Sequence, residues 1–345
     1  MHPSRLCSAL VASAALALAL AGCGTSTPTE TTAPPASAPA STAGATGATL
    51  DPTVPKGDGE LVYLVSKGFQ HRFWQAVKEG AEQAGADYNY KIQFVGPDDE
   101  TKVTQQLDQL KAALDAKPIA IGLAALDTGA AEPVLRQIEQ AQIPLVAFDS
   151  GVDSDLPVTT VQTDNTAAAA EAAKHMIELV GGKGTVGMVC HDQTSQTGQQ
   201  RCSGFADYIK ANAPDIKLLE PQYAGEVGLA ANTAKAMIQA NPEIIGVYGS
   251  NEAAATGAVQ GVTEAGNSGI TVIGFDSGKT QLEAIRDGRM AGAITQSPVK
   301  MGYETVVAAI KAANQVSLPK ITDSGYAWYD AKTIDDPDIA ANLYE

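Results

Sequence analysis

Positive charge is scarce in this chain. Its 345 residues hold 23 Lys and Arg against 39 Asp and Glu, a formal net charge of −16. Such a surface repels nucleic acid and favours a soluble, self-repelling protein. Histidine and cysteine are sparse too, at four each. With no H-E-x-x-H and no clustered Cys/His spacing, no metal centre is expected. There is no P-loop and no G-x-S-x-G elbow. Gly181-Gly182-Lys183-Gly184 does not match G-x-G-x-x-G and reads as a turn before a strand. The one long apolar run, Leu6 to Ala21, is too short and too alanine-rich for a comfortable membrane span. What is present is 44% apolar content, enough for sizeable cores in about two domains.

The N-terminus sets the compartment. Arg5 precedes the apolar run, which ends in Leu20-Ala21-Gly22-Cys23. Small residues directly before a cysteine resemble a bacterial lipobox. That resemblance implies a signal peptide over 1–22, cleavage before Cys23, and lipid on the Cys23 sulfur and new amino terminus. An ordinary signal peptide with an incidental cysteine is the alternative. Residues 24 to about 59 are Thr, Ser, Pro, Ala and Gly with almost no large apolar side chain. They cannot bury a core, so 23–59 is expected to be a disordered tether from the lipid. The protein is then exported and held at the outer face of the cytoplasmic membrane. Cys190 and Cys202 are the two remaining cysteines of the exported part, and exported cysteines tend to pair. A disulfide is expected there, two separate buried thiols being the other reading.

From Gly59 onward short apolar runs alternate with helical periodicity, the pattern of parallel sheets covered by helices. The tetrapeptide Phe-Asp-Ser-Gly ends a strand twice, at 148–151 and at 275–278. The strands before each copy match in order, so the fold class is α/β with two similar lobes. Each lobe is a parallel sheet flanked by helices, and a multi-strand hinge joins them. The expected lobes are 60–163 with 297–323, and 164–296 with 324–345. Ile321 to Tyr329 reads as one extended segment.

In open α/β sheets ligands bind beyond the carboxyl ends of the strands. The residues there are Ser66, the loop containing His71, Phe73 and Trp74, then Asp98-Asp99, Asp127 and Asp149. The second lobe offers His191-Asp192, Arg201, Tyr223, Asn251, Asp276 and, at a crossing between lobes, Gln296. Carboxylates that accept, a guanidinium that donates, amides that do both, and rings for apolar C–H faces suit a polyhydroxyl ligand. Each residue also has a plainer reading. Phe73 and Trp74 could be core, His71 an exposed loop residue, and Arg201 half of a surface ion pair. The aspartates could be solvated strand ends or helix caps, Asn251 a helix cap, and Gln296 a hinge residue.

Taken together, Ser66, Phe73-Trp74, Phe148-Asp149, Thr163-Asp164-Asn165, Arg201 with Gly204-Phe205, Gly249-Ser250-Asn251-Glu252, Gly274-Phe275-Asp276 and Gln296-Ser297-Pro298 resemble a known family. It is the type I periplasmic sugar-binding proteins of bacterial ABC importers, the ribose-binding group, over about residues 60–330. The resemblance implies sugar contacts at His71, Phe73, Trp74, Asp149, Arg201, Asn251, Asp276 and Gln296, and more loosely at Tyr223. It implies no cofactor and no catalysis: capture by closure, then delivery to a membrane permease. Ser150 departs from the family, where ribose binders usually carry arginine, and His71 stands for a usual asparagine. Both changes put D-ribose in doubt. Two carboxylates against one arginine favour a neutral ligand, and the lost arginine leans toward a pentitol or tetritol, with a pentose close behind. A monomer is expected. A glycosidase reading of the paired carboxylates and a sugar-responsive repressor are weaker, the latter for want of a DNA-reading head. A lipid-anchored sugar-sensing module signalling to a partner protein is the alternative function.

Overall fold

The computed structural model describes residues 50–69 and 71–344. The expected signal peptide, Cys23 and most of the expected tether lie outside the described residues. The first sheet is built from β1 (Leu61–Val65), β2 (Lys91–Val95), β3 (Ala120–Leu123), β4 (Leu145–Phe148) and β5 (Thr160–Gln162). Between them run α1 (Arg72–Tyr88), α2 (Val103–Asp115) and α3 (Glu132–Gln140). The second lobe begins with α4 (Asn165–Val180) and continues through β6 (Gly184–Cys190), α5 (Gln196–Asn212), β7 (Ile216–Leu218) and β8 (Gln222–Tyr223). Next come α6 (Val227–Ala240), β9 (Ile244–Gly249), α7 (Glu252–Ala265), β10 (Thr271–Phe275), α8 (Lys279–Arg286) and β11 (Gly292–Gln296). The chain ends in α9 (Pro298–Ala313), β12 (Ile321–Asp323), β13 (Tyr326–Asp330) and a short α10 (Pro337–Ala340).

The sheets run β12-β5-β4-β3-β1-β2 and β13-β11-β10-β9-β6-β7, with β8 beside the end of β6. Strand pairs are parallel except β11 with β13. Central strands such as β3 and β4 are buried along their whole length, as helices on both faces require. The segment read as one extended stretch is two strands. Asp323 ends β12 in the first sheet, Gly325 turns the chain at φ +91°, and Tyr326 starts β13 in the second. The chain thus passes between sheets at 163–164, 297 and 324–325. Thr163 Oγ1 donates to Gln296 Oε1 at 2.9 Å, and Ser324 N donates to Gln162 O at 2.8 Å, so the crossings are tied to one another.

The two Phe-Asp-Ser-Gly copies share a backbone device. Asp149 and Asp276 both adopt left-handed φ, +55° and +78°. Aspartate tolerates this region better than most residues because its short side chain bonds locally. In each copy the aspartate N–H still bonds to the neighbouring strand, Asp149 to Val161 O at 2.8 Å and Asp276 to Ile294 O at 2.6 Å. The strand is held to its last residue and then turned.

The expected disorder does not hold for residues 50–59. Val54 is buried in the first-lobe core, and Asp51 Oδ2 lies 2.7 Å from Lys311 Nζ on α9. Gly57 N and Gly59 N donate to the carbonyls of Tyr88 and Asn89 at the end of α1. The alanine-, glycine- and proline-rich composition hid two apolar anchors, Leu50 and Val54, that dock on this lobe. At the other end Tyr344 packs on Phe73, ring centroids 6.0 Å apart, and its hydroxyl accepts from Ser277 N. The C-terminal residue of the described chain therefore touches both lobes.

Helices α1 and α9 cross at glycines. A Cβ on Gly80 would lie 1.8 Å from Val299 O, and one on Gly302 1.8 Å from Val77 O. Backbone cannot yield as a side-chain end does. Gly302→Ala is expected to destabilise the protein by about 1–3 kcal/mol through overpacking, read as a lower midpoint in urea unfolding. An unchanged midpoint would mean the two helices do not pack this closely.

Candidate functional site

The carboxyl ends of both sheets face a cavity with about 290 Å³ of empty space. It is lined by Lys67, His71, Phe73, Trp74, Glu100 and Asp149 from the first lobe. The second lobe adds His191, Thr197, Arg201, Asn251, Asp276 and Gln296. Of the residues expected from the sequence, the structure brings together His71, Phe73, Trp74, Asp149, Arg201, Asn251, Asp276 and Gln296. Tyr223 is not among them. It lies on the two-residue β8, is 40% exposed, and lines no part of the cavity. β8 extends the sheet beside Cys190, one strand too far out to reach the cleft. Ser150 is also absent from the lining. It is fully buried, and its hydroxyl has no hydrogen-bond partner among the described residues. Ser150 itself makes no contact within the cavity.

Each side chain is aimed by its neighbours. Phe73 and Trp74 open α1 and meet edge to face, 4.9 Å between centroids at 82°. Trp74 Nε1 donates to Glu100 Oε1 at 2.8 Å, which fixes the indole. Arg201 is restrained on three sides. Its Nε donates to Asn165 Oδ1 at 2.8 Å, its Nη1 to Ser250 O at 3.2 Å, and its plane covers the Phe275 ring at 3.8 Å. Among the described residues its Nη2 has no hydrogen-bond acceptor. Asn251 caps α7 by accepting from Ala254 N with Oδ1, which leaves its Nδ2 to donate elsewhere. Capping and ligand contact thus use opposite ends of one amide.

The two aspartates are unlike. Asp276 receives Gln296 Nε2 at 2.7 Å and Glu252 N at 3.0 Å, and lies 3.8 Å from Arg201 Nη1. The Asp149 carboxylate receives no hydrogen bond from the described residues, although it is only 4% exposed. Burial pushes it up to about 6, against the pull of Lys67 and Arg201.

Sequence reasoning missed Lys67, Glu100, Thr197 and Glu252 as parts of this cluster. Lys67 sits just past β1, nearly fully buried, 3.5 Å from Glu100 and donating across the cleft to Thr197 Oγ1 at 3.2 Å. Burial works against the Glu100 carboxylate, but Lys67 and His71 bring it down to about 2. Glu252 is pushed up to about 7 by burial, opposed by His71 at 3.9 Å across the cleft. Burial also lowers His191 to about 4, against the pull of Asp192, so its imidazole is neutral at physiological pH. The available signal was position alone: Lys67 and Glu100 also follow first-lobe strands at their carboxyl ends. Cys190 and Cys202 are joined by a disulfide, Cα atoms 6.1 Å apart.

Comparison with known proteins places residues 62–315 on the family model of the periplasmic binding protein domain. The chain is 25% identical over 237 residues to a D-apiose import binding protein of Actinobacillus succinogenes, covering 68% of this chain and 74% of that one. It is 27% identical over 222 residues to a xylitol-binding protein of Mycolicibacterium smegmatis, covering 64% and 63%. The structure resembles an ABC transporter solute-binding protein of Agrobacterium vitis with bound D-fucose. That match has a TM-score of 0.79 and 30% identity, and covers 82% of this chain and all of the other.

Glu100 is the partner that makes burial of the Lys67 ammonium tolerable. Glu100→Gln keeps the shape and the acceptor for Trp74 but strands the cation. It is expected to cost about 3 kcal/mol of stability, measured by urea unfolding. Restoration of most of that loss by adding Lys67→Met would confirm the cause, and an unaltered midpoint for the single variant would refute it.

Proposed function

The chain belongs to the periplasmic binding protein domain family, among the type I sugar-binding proteins of ABC importers, and on that premise we propose that it captures a small neutral sugar or sugar alcohol. A pentitol, tetritol or pentose fits best. The ligand is held in the cleft and handed to a membrane permease. The observation that carries this reading is the buried Asp149 carboxylate without a donor, facing across the cavity the unspent donors of Arg201 and Asn251. A ligand hydroxyl both donates and accepts, so one polyol supplies both needs. Phe73 and Trp74 offer edges and faces to its C–H groups.

Neutrality follows from charge. Lys67 is matched by Glu100, which leaves Asp149 and Asp276 against Arg201. A sugar acid would add a third negative charge to a desolvated site. The named relatives bind apiose, xylitol and fucose, neutral polyhydroxyl compounds all, and so support the class without choosing within it. The mechanism is capture without reaction: the ligand bridges the lobes, hinge closure removes water, and the closed form docks on the permease. Lipid on Cys23 would keep the protein beside that permease.

Three measurements test this reading. A thermal-shift screen of xylitol, erythritol, D-apiose, D-ribose, hexoses and sugar acids is expected to raise the melting temperature with the small neutral compounds. Stabilisation by sugar acids or amino acids alone would sink the proposal. Asp149 holds a proton below about pH 6 in the empty protein and must release it to present two acceptors. Affinity is therefore full above pH 6 and falls as pH drops through that value, at most about tenfold per unit. Asp149→Asn should weaken binding by about ten- to a hundredfold at neutral pH and abolish that slope in calorimetry. Finally, Cys23→Ala is expected to move the exported protein from the membrane pellet to the soluble fraction.

A further inference from the structure

The stretch from Cys190 to Cys202 carries the cleft-facing side chains of one whole flank of the second lobe. His191, Thr197 and Arg201 line the cavity. Thr194 O accepts from Thr128 N at 3.0 Å, and Thr194 Oγ1 donates to Leu126 O at 3.0 Å. Gln196 Oε1 accepts from Gly151 N at 3.0 Å, and Thr197 Oγ1 accepts from Lys67 Nζ at 3.2 Å. Thr128, Leu126, Gly151 and Lys67 all belong to the first lobe. The stretch thus supplies a cavity cation and a row of direct contacts that form when the lobes are together.

The disulfide brackets this stretch. Cys190 is the residue before His191 and ends β6, and Cys202 is the residue after Arg201 on α5. We propose that the Cys190–Cys202 disulfide is a positioning device for ligand binding, which fixes the first turns of α5 against β6 and so sets the place of Arg201 and of the lobe-docking loop.

The Arg201 side chain is also held by Asn165, the Ser250 carbonyl and the Phe275 ring, and His191 N donates to Ser250 Oγ. The remaining restraints, on the loop between His191 and Arg201, are local. Asp192 accepts from Thr194 N, Ser195 N and Ser195 Oγ, and Ser195 Oγ accepts from Gly198 N. These bonds shape the loop without tying α5 to the sheet. The rest of α5 has its own anchorage. Phe205 and Ile209 are in the core, and Gly204 lies so close to α4 that a Cβ would be 2.7 Å from Thr166 O. The helix therefore stays folded without the disulfide, and what the cross-link adds is confined to its first turns. A binding side chain performs only as well as the groups that hold it, and a covalent tie one residue away leaves little freedom.

The test compares the protein with Cys190→Ala/Cys202→Ala. Hydrogen exchange at the Gly198 and Gln199 amides, which bond to Ser195, should quicken at least about tenfold, while Ala213 at the far end of α5 stays within about twofold. The affinity arm rests on the sugar-binding reading and uses xylitol and D-ribose as probes at a temperature where both forms are folded. The dissociation constant should rise at least about tenfold in the variant. Ile238→Val, on the buried face of α6 and away from the cleft, should lower the melting temperature and leave affinity unchanged. A merely structural disulfide would behave like Ile238→Val. Unchanged exchange at Gly198 and Gln199, or unchanged affinity in the variant, overturns the proposal. If neither probe binds either form, the sugar reading fails and the exchange comparison alone decides. Cys202→Ala, which breaks the tie but keeps a sulfur buried in β6, serves where the double variant does not fold.

Discussion

A carboxylate buried without a donor is the constraint on which this site depends. Asp149 stands at the end of β4, left-handed at φ +55° and almost wholly removed from water. Desolvation of an unpaired carboxylate costs several kcal/mol unless it takes a proton or gains hydrogen bonds. That cost raises the Asp149 pKa to about 6, so the carboxyl is ionised at neutral pH and takes a proton in mild acid. On the proposed reading ligand hydroxyls supply the missing donors, which links capture to the ionised form.

The hinge is wired into the same site. Thr163, at one crossing, donates to Gln296 Oε1, and Gln296 Nε2, at another crossing, donates to Asp276 Oδ1. One amide thus spans from the hinge to a carboxylate of the cavity. Rotation of the lobes that disturbed Gln296 would disturb Asp276, and through it the backbone N–H of Glu252 at the start of α7. Gln296 was readable as either a hinge or a ligand residue; its two ends serve both.

Much of this was legible in the sequence because it rests on local pattern. Alternating apolar runs and helical periodicity marked the parallel sheets, and the repeated Phe-Asp-Ser-Gly marked the equivalent ends of β4 and β10. What escaped rests on contacts between distant segments. Lys67 and Glu100 lie in separate loops, and it takes their 3.5 Å pairing together with the Thr197 contact from the other lobe to explain a buried lysine. Residues 50–59 looked like tether because two apolar anchors are a weak signal against such a composition. Ile321 to Tyr329 looked like one strand because nothing local shows that Gly325 sends its halves to different sheets. Tyr223 fell near the cleft in sequence order, but a two-residue strand at the sheet margin leaves it in solvent.

The repeat also conceals a division of labour. The two aspartates share residue type, strand position and backbone conformation, yet Asp276 accepts from Gln296 and Glu252 and lies near Arg201, while Asp149 accepts no hydrogen bond from the described residues. The second lobe therefore uses its aspartate to hold a donor in place, and the first lobe uses its own as an acceptor. On the proposed reading, a ligand that reaches both Asp149 and the spare donors of Arg201 and Asn251 bonds to both lobes at once, and that part of its binding energy is available only when the lobes are together.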